Sequence, residues 1–299
     1  MLTPFVKDRY GLGFLIYNKK DKIFKKEDDM YFEHHGWSTG FYSRMTAHRD
    51  KGYGVVVLTN STHPAFVFEL FRSVALAYEW DNYVPIHKKM EIEQAAVDEI
   101  TGRYQSNDMI VEVFQKDNLL LTRNILNVKA EELVKVADSI FVRRNSSRLI
   151  QFKPNSENET VNLLYLNRND KTITSTFVKM DNDKKDPVEF LLEGEFEKAL
   201  NAYSVLIEHD SNYPTVTEDY LNNLGYRFLN EDRIQLSQDT FKVNMMLYPD
   251  SFKVYDSYAE ACMKLGEIDL AILNYAKSLE LNPQNNHAKD MLTELRKSK

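Results

Sequence analysis

A spacing of 34 residues relates amino acids of matching size in the last third of the chain. In five pairs, each residue is matched 34 positions later by one of the same size class: Gly225 and Ala259, Leu236 and Leu270, Ser237 and Ala271, Phe241 and Tyr275, and Pro249 and Pro283. A period of about 20 to 50 residues is typical of a chain that stacks copies of one unit, each of which buries its apolar face against its neighbours. The spacing therefore predicts helical hairpins stacked on a continuous core.

An incomplete earlier copy precedes these two. Three residues lie 72 positions before their equivalents in the last copy: Gly194, Ala199 and Tyr203. This distance is two periods plus four residues, which predicts an insertion around residues 213–216. Residues 286–297 predict a closing helix with a polar face.

The stretch from Tyr258 to Pro283, with Gly266, Ala271 and Tyr275 in place, resembles the tetratricopeptide repeat (TPR). The resemblance implies helices that pair closely through small residues, and a peptide or protein ligand on the repeats. The middle copy departs from the pattern because Asp232 stands where glycine is usual. We assign residues 187–299 to about two and a half repeats and expect them to fold by themselves.

Short strands are predicted in the region before the repeats, residues 91–180. Six apolar and β-branched runs alternate there with turns: Ile110–Phe114, Leu119–Thr122, Ser139–Arg143, Leu149–Pro154, Val161–Leu166 and Ile173–Val178. This pattern predicts a small antiparallel barrel or sandwich. Residues 181–187 contain only Asp, Asn, Lys and Pro, which is typical of a linker or of a helix start.

The first region, residues 1–85, predicts a sheet with a helix packed on it. Phe41 to His48 and Tyr53 to Thr59 flank a polar turn, which predicts an antiparallel hairpin. Tyr10 to Tyr17 predicts a further strand. Apolar residues then recur at helical spacing after Pro64. The whole chain is thus predicted to be a multidomain α+β protein with domains at 1–85, 91–180 and 187–299.

The string Phe32-Glu-His-His-Gly-Trp-Ser-Thr-Gly-Phe41 resembles the C-terminal part of the serine β-lactamase and D-Ala-D-Ala peptidase clan. That family carries a Lys-Thr-Gly or His-x-Gly strand beside its active site, and residues 34–36 match the second form. The resemblance implies that His34 faces the substrate and that Gly36 leaves room for it. It covers residues 8–80, and the 91–180 region resembles the small β domain often appended to such hydrolases.

The nucleophile of that family is missing from this chain. Such enzymes need a serine followed by lysine three residues later, so that the amine can take the hydroxyl proton. No serine here has lysine at that position. The family's Tyr-x-Asn element precedes the His-x-Gly strand, whereas Tyr165-Leu-Asn167 and Tyr220-Leu-Asn222 follow it and are interpreted as chance matches. The chain alone is therefore expected to be inactive.

Composition excludes several kinds of partner and cofactor. A net charge of −7 argues against a nucleic-acid-binding surface, and Cys262 is the single cysteine, which excludes an intramolecular disulfide. His34 and His35 are adjacent and would point to opposite faces of a strand, while the other five histidines, among them His287, are dispersed. We expect no metal and no cofactor. No apolar run approaches the ~20 residues of a membrane span, and charges from Lys7 onward argue against an export signal.

Two functions remain open at this stage. The chain is either the C-terminal portion of a β-lactamase-related hydrolase, whose Ser, Lys and Tyr would lie upstream, or a binding module whose repeats hold a peptide. In both cases the apolar strand Tyr53–Thr59 lacks the neighbour that the family's sheet supplies. An exposed strand edge of this kind predicts that the chain self-associates or needs a partner segment. The substrate, the peptide ligand, the compartment and the oligomeric state stay open.

Overall fold

A computed structural model gives the fold of the protein. The structure describes residues 2, 10–18, 30–61, 64–80, 83–84, 88–107, 109–143, 148–156, 160–167, 171–211 and 213–297. The strands within these residues are β1 (Leu15–Asn18), β2 (Met30–Ser38), β3 (Phe41–His48), β4 (Gly54–Thr59), β5 (Gly102–Ser106), β6 (Met109–Lys116), β7 (Leu119–Asn124), β8 (Glu131–Ala137), β9 (Ile140–Arg143), β10 (Leu149–Pro154), β11 (Val161–Leu166) and β12 (Ile173–Lys179). The α-helices are α1 (Pro64–Ala77), α2 (Gln94–Ile100), α3 (Pro187–Leu192), α4 (Phe196–His209), α5 (Glu218–Asn230), α6 (Ile234–Leu247), α7 (Phe252–Lys264), α8 (Ile268–Leu281) and α9 (Asn286–Lys297).

The chain divides into two compact units, residues 1–99 with 131–176, and residues 100–130 with 177–299. The three predicted domains, 1–85, 91–180 and 187–299, are bounded where the sequence pattern changes between strands and helices. They stay a prediction.

The strands β1 to β4 form an antiparallel sheet in chain order. One face of this sheet packs on α1 in an apolar cluster that includes Tyr31, Phe71 and Trp80. Arg44 is tolerated beside this cluster because it pairs with Glu33 and lies over the ring of Phe71, with 5.0 Å between guanidinium and ring centroid. The predicted hairpin and the helix after it are confirmed.

The strands β5 to β12 close into an antiparallel barrel with the order β10-β11-β12-β5-β6-β7-β8-β9. Of the two predicted architectures, the structure therefore has the barrel. All six predicted strands are present, and β5, β8 and α2 are additional elements. The strand β5 carries a polar sequence in which only Tyr104 is fully buried, so it lacks the apolar run that identifies a strand.

The helices α3 to α9 confirm the prediction of repeated hairpins. Two complete hairpins, α5 with α6 and α7 with α8, lie 34 residues apart along the chain. A short 3-10 helix at Pro214–Val216 occupies the predicted insertion, and α9 spans the predicted closing helix. The buried core of the last hairpin runs on into α9 through Ala288, Leu292 and Leu295.

Asp232 adopts the conformation that glycine has at the equivalent turns. Its φ is +60°, against +77° at Gly194 and +79° at Gly266. Asp tolerates the left-handed region better than most residues with a side chain. The chain therefore keeps the tight turn between α5 and α6 although the sequence departs from the repeat pattern.

The first helix of the array, α3, begins on a polar clamp. Asp186 accepts a hydrogen bond from the backbone N of Val188 at 3.1 Å, and Glu189 accepts one from the backbone N of Asp186 at 2.8 Å. This reciprocal cap fixes the helix start. Arg103 of β5 donates from Nη1 to both carboxylate oxygens of Glu189, at 2.6 and 2.7 Å, and from Nη2 to three backbone carbonyls of residues 181–184.

An apolar contact joins the same parts of this unit. Leu126, just after β7, packs with Val188, Leu224 and Phe228 in one buried cluster. Arg233 donates from Nη1 to the backbone carbonyl of Leu126 at 2.9 Å. The core of the helices therefore extends into residues 100–130, which the sequence-based expectation of a self-contained array does not include.

Candidate functional site

The two candidate residues from the sequence, His34 and Gly36, lie two positions apart on β2 and share one face of the sheet. His34 is exposed, and its ring meets that of Phe14 edge-on, with centroids 6.4 Å apart. It borders a cavity of about 320 Å³, lined by Tyr10, Gly11, Gly13, Phe14, Leu15, His34 and His35. These lining residues include no serine, cysteine or lysine. The cavity therefore offers an imidazole but no pair of nucleophile and base.

Packing within the sheet explains why residue 36 is a glycine. Gly36 pairs with Ser43 of β3, and a Cβ atom at Gly36 would lie 2.9 Å from the Oγ atom of Ser43. That distance is shorter than side-chain contacts allow, so a larger residue would displace Ser43. Substrate contact by His34 and Gly36 stays a prediction.

A second polar surface, absent from the sequence analysis, connects the first helices of successive hairpins. We call it the ladder face and define it by Asn222, Tyr226, Asp256, Ser257, Glu260 and His287. Between α5 and α7, Ser257 donates to Oδ1 of Asn222 at 2.7 Å, and the hydroxyl of Tyr226 donates to Oε2 of Glu260 at 3.0 Å. Burial, followed by the nearby carboxylates, raises the pKa of Tyr226 to about 12, so its hydroxyl remains a donor.

The ladder continues from α7 to α9 through Asp256. Its Oδ1 accepts a hydrogen bond from Nδ2 of Asn285 at 3.1 Å, and its Oδ2 lies 2.9 Å from Nδ1 of His287. Most of the Asp256 side chain is buried, whereas about half of the His287 side chain is exposed. The face is thus a row of polar groups in which four are half-buried, Ser257 is buried and His287 is exposed.

Tyr275 of α8 lies beneath this row. Its side chain is fully buried, and its ring meets that of His287 edge-on, with centroids 5.9 Å apart. Its hydroxyl has no hydrogen-bond partner among the described residues. Burial and then the charges of Asp256 and Glu260 raise its pKa. A buried hydroxyl without a partner is uncommon, because leaving it unpaired costs about 1–3 kcal/mol.

The charge of the helical region favours cations. Residues 187–299 hold 19 Asp and Glu against 11 Lys and Arg, a net charge of −8, although the whole chain carries only −7. The described residues contain no group of three metal-ligating side chains of the His, Cys, Asp or Glu type. No described helix combines the length and the apolar character that a membrane span requires.

The sequence contains a signal for the ladder face that the search for catalytic motifs does not use. Two sets of polar residues recur at the same 34-residue spacing as the core: Asn222, Asp256 and Asp290, and Tyr226, Glu260 and Glu294. Such a repeat of solvent-facing residues predicts a surface that runs along the array. The role of Tyr275 has no such signal, because an aromatic residue there is also expected from packing.

No protein-family profile and no curated protein matches the chain. Among solved structures, the first TPR domain of Spaghetti (RPAP3), bound to an HSP90 peptide, is similar at 16% identity and a TM-score of 0.28, over 38% of this chain and 86% of that one. The TPR domain of Arabidopsis OM64 is similar at 23% identity and a TM-score of 0.27, over 37% and 88%. SurE with D-Leu is similar at 18% identity and a TM-score of 0.31, over 60% and 40%. These values are low, so we base the function on the contacts of this chain.

Proposed function

We propose that the chain is a protein-interaction module whose helical repeats bind a peptide segment on the ladder face. The observation that carries this proposal is the row of hydrogen-bonded polar groups from Asn222 to His287. Its members already hold one another in place, so binding would cost little side-chain ordering. The amide and carboxylate oxygens of this row can each accept more than one hydrogen bond, which suits the N–H groups and polar side chains of an extended peptide.

Selection of random 12-residue peptides displayed on phage, with the intact chain as bait, tests this function. Enriched peptides should compete with one another for a single site. Asn223→Trp places a bulky ring on the exposed side of α5 next to Asn222, and we expect it to abolish their binding. Asn201→Trp makes the same change at an exposed position of α4 and should leave binding intact. Failure to enrich any peptide, or equal binding by the Asn223→Trp variant, would contradict the proposal.

The hydrolase interpretation stays a second hypothesis, supported by the antiparallel sheet β1–β4 and by the position of His34 beside a cavity. On this hypothesis the chain as given is inactive, because no serine has its lysine three residues later. We expect no hydrolysis of a chromogenic β-lactam or a p-nitrophenyl ester above buffer. Saturable turnover that disappears in His34→Ala would contradict this expectation.

Self-association through β4 is also proposed. Among the described strands it ends the sheet order, and its Val56 and Leu58 are 62% and 79% exposed. Apolar strand edges favour pairing with another chain. Light scattering over a range of concentrations should show a mass above that of the monomer, and Val56→Lys should reduce it. A strictly monomeric protein would contradict the proposal.

A further inference from the structure

The imidazole of His287 is the most exposed group of the ladder face, and one of its nitrogens is held by the protein. Its Nδ1 atom lies 2.9 Å from Oδ2 of Asp256. The ring of Tyr275 meets the imidazole edge-on, with centroids 5.9 Å apart. About half of the His287 side chain is exposed, whereas most of the Asp256 side chain is buried. In the described part of the chain no residue bonds the second nitrogen, Nε2, which is therefore available to a ligand.

The partner of His287 is itself held by a chain of hydrogen bonds. Asn285 donates from Nδ2 to Oδ1 of Asp256 at 3.1 Å and to Oγ of Ser278 at 2.9 Å. Ser278 in turn donates to the backbone carbonyl of Phe252 at 2.9 Å. Contacts of this kind fix the orientation of a side chain that meets a ligand. The carboxylate of Asp256 therefore has a fixed position against the imidazole.

Hydrogen-bond chemistry then decides what the available nitrogen can do. A carboxylate without a proton only accepts hydrogen bonds, so the Nδ1 atom of His287 is the donor to Asp256. A neutral imidazole carries one N–H group, and the nitrogen without it is an acceptor. The contact with Asp256 therefore selects the tautomer in which Nε2 offers a lone pair.

We infer that His287 determines the specificity of the ladder face at its α9 end. Its Nε2 atom accepts a hydrogen bond from an N–H or O–H group of the bound peptide, and Asp256 is the positioning residue that keeps the ring in this tautomer. This inference rests on the proposed function and adds the kind of group that is recognised. The side-chain oxygens of Asn222 and Glu260 on the same face are acceptors too, so the row suits a ligand rich in donors.

Other roles for His287 fit less well or need a separate test. A metal ion would need more ligands than the described residues bring together. An acidic ligand would meet the charge of −8 on residues 187–299. A latch between α7 and α9 would use the Nδ1 contact alone, which the amide of an asparagine could also make. The two ring nitrogens must therefore be tested separately.

The tautomer is tested first, on the full chain without peptide. Two-bond proton–nitrogen NMR at about pH 8.5, where an ordinary imidazole is neutral, distinguishes a protonated Nδ1 from a protonated Nε2. The chain holds 7 histidines, and the signals of His287 are those that disappear in His287→Asn. We expect the Nδ1–H form of His287 in the wild-type protein and a mixture of both forms in Asp256→Ala.

Binding of the most enriched phage-selected peptide, labelled with fluorescein and followed by anisotropy, then tests Nε2. The amide of an asparagine can replace Nδ1, and that of the longer glutamine can replace Nε2. His287→Asn should therefore weaken binding by about three- to tenfold, whereas His287→Gln should keep most of it. The matched control His209→Asn, at an exposed position of α4, should leave binding intact.

Asp256→Ala should weaken the same peptide by a similar factor, although the imidazole remains in place. Two series of peptide variants identify the donor that Nε2 meets. N-methylation removes one backbone N–H at a time, and alanine replaces one polar side chain at a time. The donor lies at the position where a change that weakens binding to the wild-type protein has no effect in His287→Asn.

The outcomes separate the inference from the function on which it rests. If His287→Asn binds as tightly as the wild-type protein while Asn223→Trp does not bind, peptide binding stands and the role of Nε2 is wrong. An Nε2–H form of His287 in the wild-type protein, or equal losses in His287→Asn and His287→Gln, would also overturn the inference. Failure of the phage selection to enrich any peptide would contradict the function itself and, with it, this inference.

Discussion

The two complete hairpins share one geometry and differ where their helices meet. In the first, Gly225 of α5 lies so close to Phe241 of α6 that a Cβ atom would be 2.4 Å from the ring. In the second, Ala259 of α7 and the ring equivalent to Phe241, Tyr275 of α8, belong to one buried cluster, and Tyr275 carries the unpartnered hydroxyl. The first hairpin thus uses this position for close packing alone. The second uses it to place a polar atom beneath a surface.

The largest expected effect tests whether contacts with the β strands stabilise the first hairpin more than the second. Arg103→Ala leaves the carboxylate of Glu189 buried without its partner, which should lower the free energy of unfolding by about 3 kcal/mol. Because repeat units contact only their neighbours, hydrogen exchange should accelerate more in α5–α6 than in α7–α8. Urea unfolding followed by circular dichroism measures the first effect.

Arg123→Ala serves as the matched control for Arg103→Ala. It removes an arginine from β7 whose pair with Glu112 is about one-third exposed, so we expect a loss of about 0–1 kcal/mol. Equal losses in the two variants, or equal acceleration of exchange in both hairpins, would contradict the link between the strands and the first hairpin.

The second prediction concerns the close approach in the first hairpin. Gly225→Ala forces a methyl group into the ring of Phe241 and should destabilise the protein by about 2 kcal/mol, although alanine favours helices. Ala259→Gly makes the reverse change in the second hairpin and should cost about 1 kcal/mol through helix propensity. If Gly225→Ala instead raised the free energy of unfolding in urea, the contact of residue 225 with Phe241 would be no tighter than that of Ala259 with Tyr275, and the prediction would be wrong.

The third prediction exchanges the equivalent aromatic residues of the two hairpins, Phe241 and Tyr275. Tyr275→Phe should raise the stability of the free protein by about 1 kcal/mol, because it removes a buried hydroxyl that has no partner. Phe241→Tyr should lower stability by about the same amount, since the new hydroxyl would be buried beside Gly225. Thermal unfolding without peptide checks both changes. Destabilisation by Tyr275→Phe would mean that the hydroxyl already has a partner.

The sequence predicts the helices better than the ladder face, for a physical reason. Core packing repeats in residue size, so pairs such as Phe241 and Tyr275 reveal the hairpins without a structure. Whether a tyrosine hydroxyl finds a partner depends on neighbours from α7 and α9, which no spacing within α8 contains. The strand β5 is not predicted from the sequence for the same reason. Its Arg103 is held by contacts with residues far along the chain, which the local pattern does not contain.

The smallest expected effect compares the turns of the two hairpins. Asp232 and Gly266 share a left-handed backbone, which costs less for glycine than for a residue with a side chain. Asp232→Gly should therefore stabilise the protein by about 0.5 kcal/mol, and Gly266→Asp should destabilise it by a similar amount. If the urea midpoints of the two variants moved in the same direction, the turns at Asp232 and Gly266 would not be equivalent.

The central claim is that the ladder face binds a peptide segment. Methyl NMR of the full chain labelled at its 10 methionines tests this most directly. Met263 lies one turn beyond Glu260 on α7, and Met291 one turn beyond His287 on α9, whereas Met246 is exposed on α6. Titration with a peptide enriched by the phage selection should shift the signals of Met263 and Met291 and leave that of Met246 in place. Shifts at Met246, or at Met45 of β3, without shifts at Met263 and Met291 would contradict the claim.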